Sequence, residues 1–69
     1  MEKKRLAVLT VREAEVLCLV AAGLTNAEAA EKLFVSPRTI NWHLTSIYRK
    51  VGAGSRSAAI RFAVEHMLV

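Results

Sequence analysis

Apolar residues recur at helical spacing in four stretches of this chain, and a polar cap or a glycine marks each break between them. Thr10-Val11-Arg12-Glu13 opens the first stretch as a capping box. The threonine hydroxyl reaches the Glu13 amide, and the Glu13 carboxylate reaches back. Val16, Leu17, Val20 and Ala21 follow on one face, and Gly23 stops the helix as a residue suited to a left-handed conformation. Thr25-Asn26-Ala27-Glu28 repeats the device for a short second helix, with Ala29, Ala30 and Leu33 on one side and Glu31 and Lys32 in solvent. After Phe34-Val35, Ser36 caps a third helix and Pro37 takes its first position, where a missing N–H costs nothing. Ile40, Leu44, Ile47 and Val51 form its buried stripe, and Gly52-Ala53-Gly54 ends it. Ser55 caps a fourth helix whose apolar stripe reads Ala59, Ile60, Ala63, Val64.

This pattern predicts an all-α, compact four-helix domain with helices over about 10–22, 26–33, 37–51 and 56–66. Residues 1–8 read as a basic N-terminal arm or linker remnant, and 9–69 as one domain. A short helix, a connection of about three residues and a longer helix with a polar outer stripe are the mark of a helix-turn-helix.

That outer stripe carries the candidate chemistry. Arg38, Asn41, Trp42, Thr45 and Arg49 face away from the apolar stripe. A cation, an amide, a hydroxyl and a large aromatic on the solvent side make a surface suited to reading DNA. Charge strengthens the picture. The net charge is +4, and no acid stands between Glu31 and Glu65, where Lys32, Arg38, Arg49, Lys50, Arg56 and Arg61 all lie. A basic half facing a polyanion fits this asymmetry.

Other functions find less support. Of the 69 residues 54% are hydrophobic, much of that alanine, and no apolar run nears the ~18 residues of a membrane span. The basic start, Met1 to Leu6, imitates a secretion signal, but Thr10, Arg12, Glu13 and Glu15 interrupt any apolar continuation, so a cytoplasmic protein is expected. Cys18 is the single cysteine. An internal disulfide and a four-ligand zinc site are therefore out of reach, and Cys18 reads as a small packed or half-exposed residue. No phosphate-binding glycine loop, HExxH pair or carboxylate pair is present. The expectation is no enzyme, no cofactor, no metal and no small-molecule ligand.

Four motifs, in this order and spacing, resemble the LuxR/GerE-type DNA-binding domain of bacterial transcription regulators. They are Leu9-Thr10-Val11-Arg12-Glu13-Ala14-Glu15-Val16-Leu17; Ala22-Gly23-Leu24-Thr25-Asn26-Ala27-Glu28; Val35-Ser36-Pro37-Arg38-Thr39-Ile40 with His43 and Lys50; and Gly52 with Ser55-Arg56. The likeness runs from about Leu9 to Leu68. It implies that the third helix enters the major groove, that the fourth helix forms a homodimer, and that the site is an inverted repeat in double-stranded DNA. Relatives often carry a receiver or ligand-binding domain ahead of this one, so the segment reads as an excised domain or a naturally short regulator. Departures from the family pattern are Ala29, where isoleucine is usual; Asn41, where several relatives carry lysine; the bulkier Trp42; and Thr45, at a frequently polar or basic position. The last three fall on the outer stripe and alter which sequence is read.

Asn41 suits a bidentate contact with adenine, Trp42 suits thymine methyls or sugar-phosphate, and Thr45 a base edge or methyl. Arg38 reaches a base or a phosphate. Thr39 in the first turn, Arg49 and Lys50 at the far end, Thr25 and Asn26 at the second helix start, and His43 are candidate phosphate contacts. Several have structural readings as well: Thr25 and Asn26 cap, His43 sits on the inner margin, and Arg49 and Lys50 suit a helix C-terminus. Tyr48 packs at the edge, and His66 suits the last helix end. Ala59, Ala63 and Val64 face the core, a second subunit, or both. Glu13 and Arg56 are candidates for an ion pair joining the first and fourth helices. The competing functions are a helix-turn-helix protein-interaction module, whose basic stripe meets an acidic partner, and a nonspecific DNA binder, which needs the cations but not Asn41, Trp42 or Thr45.

Overall fold

The computed structural model describes residues 8–66, so of the predicted arm only Val8 falls within it, and the domain's last residues, 67–69, lie outside it. Four helices follow one another: α1 (Val11–Ala21), α2 (Asn26–Leu33), α3 (Pro37–Val51) and α4 (Arg56–Glu65). The ends obey the caps. Thr10 N–H donates to Glu13 Oε1 at 2.9 Å while Glu13 N–H donates to Thr10 Oγ1 at 3.0 Å. Thr25 and Glu28 repeat the exchange at 2.8 and 3.1 Å. Ser36 and Ser55 accept from the amides of Thr39 and Ala58, each at 3.2 Å.

Helix α1 closes in a Schellman turn. Gly23, at φ 100°, donates to the Val20 carbonyl, and Leu24 N–H donates to the Leu19 carbonyl. Helix α2 closes the same way, with Val35 N–H on the Ala30 carbonyl at 3.0 Å, but the left-handed residue is Phe34, at φ 59° and ψ 44°. A phenylalanine in the place of glycine is the least expected feature of the backbone. Its ring is 94% exposed.

Helices α1 and α3 each pack against all three others, and α4 rests on these two. The core combines Val16, Leu17 and Val20 of α1 with Ala29 and Ala30 of α2, Ile40, Leu44 and Ile47 of α3, and Ala59, Phe62 and Ala63 of α4. Burying each large aliphatic is worth about 1.5–3 kcal/mol. Ala29 is wholly buried, so α2 meets its neighbours there through a small side chain. The apolar stripe expected on α4 divides between core and surface. The buried face of the helix includes Phe62, while Val64, placed in the apolar stripe, is 56% exposed. Residues 59, 62 and 63 share one face at i, i+3, i+4, whereas Val64 is one residue further round. Ala59 and Ala63, candidates for a dimer contact, are fully buried within the chain and have no surface to offer a second one.

Candidate nucleic-acid interface

Helix α3 holds its position through its inner face. Ile40 and Ile47 are fully buried and Leu44 nearly so. A polar clamp flanks them: Glu13, 5% exposed, accepts from Ser46 Oγ at 2.8 Å through Oε2 and from Lys50 Nζ at 2.8 Å through Oε1. Burial by itself would push the Glu13 carboxyl up. The hydrogen bonds from Lys50, the Thr10 amide and Ser46, with the Lys50 charge, outweigh it and bring the pKa from an ordinary 4.5 to about 2. One carboxylate thus caps α1 and fastens α3 to it.

With the inner face fixed, the outer face presents Arg38, Asn41, Trp42, Thr45 and Arg49 to solvent. The spacings i, i+3, i+4, i+7 and i+11 put them along one side of the helix. Trp42 is 70% exposed. Its ring lies tilted against His43, with centroids 5.2 Å apart at 58°. Arg38, Thr39, Asn41, Trp42 and Thr45 line a shallow cleft of about 440 Å³. The Thr45 hydroxyl donates to the Asn41 carbonyl at 3.0 Å. Among the described residues, the side chains of Arg38, Asn41 and Arg49 make no hydrogen bond or ion pair.

The remaining candidates are distributed unevenly. Thr39 is half-buried, its hydroxyl 3.1 Å from that of Ser36. His43 is half-buried, and among the described residues its ring partner is Trp42. Thr25 is engaged in its capping box. Arg56 donates to Asn26 Oδ1 at 2.7 Å and to the Leu24 carbonyl at 3.0 Å. The anticipated Glu13–Arg56 pair is therefore not formed: Glu13 is taken by α3, and Arg56 ties α4 to the α1–α2 turn. Lys50, expected at a phosphate, has its ammonium on Glu13, with the side chain 34% exposed. The sequence reading missed the Ser46–Glu13–Lys50 clamp. The available signal was that Ser46 and Lys50 stand four apart beside the buried Ile47.

At the far end, His66 stacks on Phe62 with centroids 4.1 Å apart, and its Nδ1 is 2.9 Å from the Phe62 carbonyl. Cys18 is half-buried, and burial raises its thiol pKa. Among the described residues no group of three or more His, Cys, Asp or Glu could hold a metal, and no helix is long and apolar enough to cross a membrane.

Comparison with known proteins bears on this geometry directly. Residues 7–63 match the family described as bacterial regulatory proteins, luxR family. The chain is 43% identical over 61 residues to the transcriptional regulatory protein LiaR of Bacillus subtilis, covering 88% of this chain and 29% of LiaR. It is 42% identical over 62 residues to the oxygen regulatory protein NreC of Staphylococcus aureus, covering 90% of this chain and 29% of NreC. Among solved structures it resembles the response regulator ChrA of a heme-sensing two-component system, with TM-score 0.80 and 43% identity over 88% of this chain and 30% of ChrA. The chain thus spans less than a third of the length of these relatives.

Proposed function

The chain belongs to the luxR family of bacterial regulatory proteins as a helix-turn-helix DNA-binding domain, and from that premise we propose that it recognises a specific double-stranded sequence by laying α3 in the major groove. The observation that carries this reading is the outward face of α3. Asn41, Trp42 and Thr45 stand exposed between Arg38 and Arg49, and the amide and both cations are unengaged among the described residues. Phosphate contacts from Arg38, Arg49, His43, Thr39 and the start of α2 set register, and Asn41, Trp42 and Thr45 supply sequence preference. Lys50 contributes mainly by holding α3 to Glu13.

A domain of this size binds a single half-site weakly, so the working form is a homodimer on an inverted repeat, with half-sites about 10 bp apart centre to centre. With Ala59 and Ala63 in the core, Val64 is the residue of the expected interface that α4 still exposes. Such a regulator acts in the cytoplasm, on DNA.

The test is an anisotropy titration against a selected inverted-repeat duplex and its scrambled counterpart across a salt series. The reading expects tight binding to the first alone, with log K falling against log salt by roughly 0.9 per phosphate neutralised. Equal affinity for both duplexes replaces it with a nonspecific binder. A folded domain that binds neither at low salt replaces it with a protein-interaction module.

A further inference from the structure

We propose that Trp42 and Thr45 together read the C5-methyl group of thymine, so that α3 selects its half-site by a methyl beside the adenine contacted by Asn41. The inference rests on the DNA-binding reading above and specifies what the outward face recognises. It begins with the bond from the Thr45 hydroxyl to the Asn41 carbonyl, 3.0 Å long. A threonine that bonds back to the carbonyl four residues earlier has used its only donor on its own helix. It then offers a base a methyl group and an acceptor oxygen. It has no hydrogen left for the acceptors of guanine or for O4 of thymine.

The second part is Trp42, the single tryptophan of the chain and 70% exposed. Three residues before Thr45, it stands on the same side of the helix. It lines one cleft with Thr45, Asn41, Thr39 and Arg38. The centre of the reading face is therefore an indole and a threonine methyl, and the cations stand towards its ends, at Arg38 and Arg49. In the major groove the apolar group unique to one base is the thymine methyl. An uncharged, apolar centre also disfavours guanine, whose commonest partner is a bidentate Arg or Lys. Asn41, whose amide is unengaged among the described residues, supplies the one polar base contact of this centre.

Deoxyuridine is thymidine without the methyl, and it tests the inference with Watson–Crick pairing unchanged. The selected duplex is titrated with each thymine of the half-site replaced in turn. At the position read by the pair, binding weakens about fourfold, the transfer value of one buried methyl-sized group. T45V keeps a methyl and retains the penalty, whereas T45S keeps the hydroxyl and reduces it. W42A binds the thymine and uracil duplexes alike. At that position 5-methylcytosine binds better than cytosine. Emission from Trp42 shifts to the blue on binding the thymine duplex, and less on binding the uracil one. Circular dichroism confirms the fold of each variant. Sequence-specific binding with no uracil penalty anywhere overturns the inference and leaves the DNA-binding reading standing. A penalty that persists unchanged in both W42A and T45S also overturns it, because the methyl would then act through DNA shape. Absence of any sequence preference removes both.

Discussion

Two neighbouring pairs in α3 are chemically alike and fare oppositely. Thr45 and Ser46 are both hydroxyls, and Arg49 and Lys50 are both cations. Ser46 and Lys50 turn inward and both bond Glu13 at 2.8 Å, whereas Thr45 and Arg49 stand exposed on the other side. One residue along a helix is about a 100° turn, enough to move a group from a contact within the protein to open solvent. Inside, every buried side-chain nitrogen and oxygen among the described residues has a partner. Outside, Arg38, Asn41 and Arg49 have none there. Polar groups on the inner side hold the helix in place. Those on the outer side stay exposed, where the proposed function draws on them, and the two sets are separable by mutation.

The largest effect is expected at the clamp. E13A leaves the Lys50 ammonium, the Ser46 hydroxyl and the Thr10 amide without their acceptor. Glu13 is buried but Lys50 keeps a third of its side chain in solvent, so the cost falls below the ~3–5 kcal/mol of a fully buried ion pair. For so small a domain that is still a large part of the folding free energy, so E13A is expected to melt well below the parent, as read by circular dichroism. R49A, one residue from Lys50, ought to melt as the parent does while losing DNA affinity at every sequence. An E13A variant that melts like the parent would erase the distinction between the two faces.

Acid sharpens the same contrast. The folded state holds Glu13 at about 2 against an ordinary 4.5. Folding therefore favours the ionised carboxylate. The stabilisation is fully present above pH 4.5 and is lost as the pH falls through the folded value near 2. A shift of this size corresponds to a contribution on the order of 3 kcal/mol. Urea titrations of the parent between neutral pH and pH 2 are expected to show that loss. E13Q, which has no carboxylate there to titrate, is expected to start less stable and to follow a shallower slope, and a parallel slope would assign the acid sensitivity elsewhere.

On the outer face the expected effects are smaller and fall on binding. N41A ought to weaken the selected duplex by about 1–3 kcal/mol and relax preference at one base pair, with the melting temperature unchanged. R49A is expected to weaken selected and scrambled duplexes equally and to lower the salt slope by roughly 0.9. Anisotropy on both duplexes distinguishes the two patterns. If N41A lost affinity equally on both, the amide would be positioning the domain on the backbone instead of reading a base.

What was legible in the chain was what neighbours in sequence decide. Thr10 with Glu13, Thr25 with Glu28, Ser36 with Pro37, and the glycines announce helix ends from a few residues each, and all four helices follow. The outward stripe was legible because the period of α3 is unambiguous. On α4 apolar residues sit on nearly every side, from Ala58 to Val64, so the period alone does not select Phe62 over Val64 for the core. The partners of Lys50 and Arg56 were illegible for a different reason. Glu13 lies 37 positions from Lys50, and Asn26 lies 30 from Arg56. Packing of the helices chooses those pairs; the spacing of Ser46 and Lys50 beside Ile47 marks the inward side of α3 without naming the partner.

The turn at Phe34 escaped notice because a left-handed cap is sought at glycine or asparagine. It also supports the smallest prediction. A side chain in the left-handed region costs roughly 1–2 kcal/mol relative to the ordinary helical one. The ring at φ 59° is 94% exposed and so contributes little packing in return. Glycine removes the strain but adds freedom to the unfolded chain, which takes back roughly 0.5–1 kcal/mol. The net gain for F34G is therefore about 0.5 kcal/mol, or roughly 2–4 °C in melting temperature for a domain of this length. F34N, which tolerates the same conformation with less added freedom, ought to do as well or better. Phe34 sits in the turn between α2 and α3, off the outward stripe of α3, so neither variant is expected to change which duplex is chosen. Greater stability with unchanged DNA affinity would place Phe34 with neither face of the comparison. A loss of affinity at raised stability would instead extend the DNA-reading side from α3 into the turn before it.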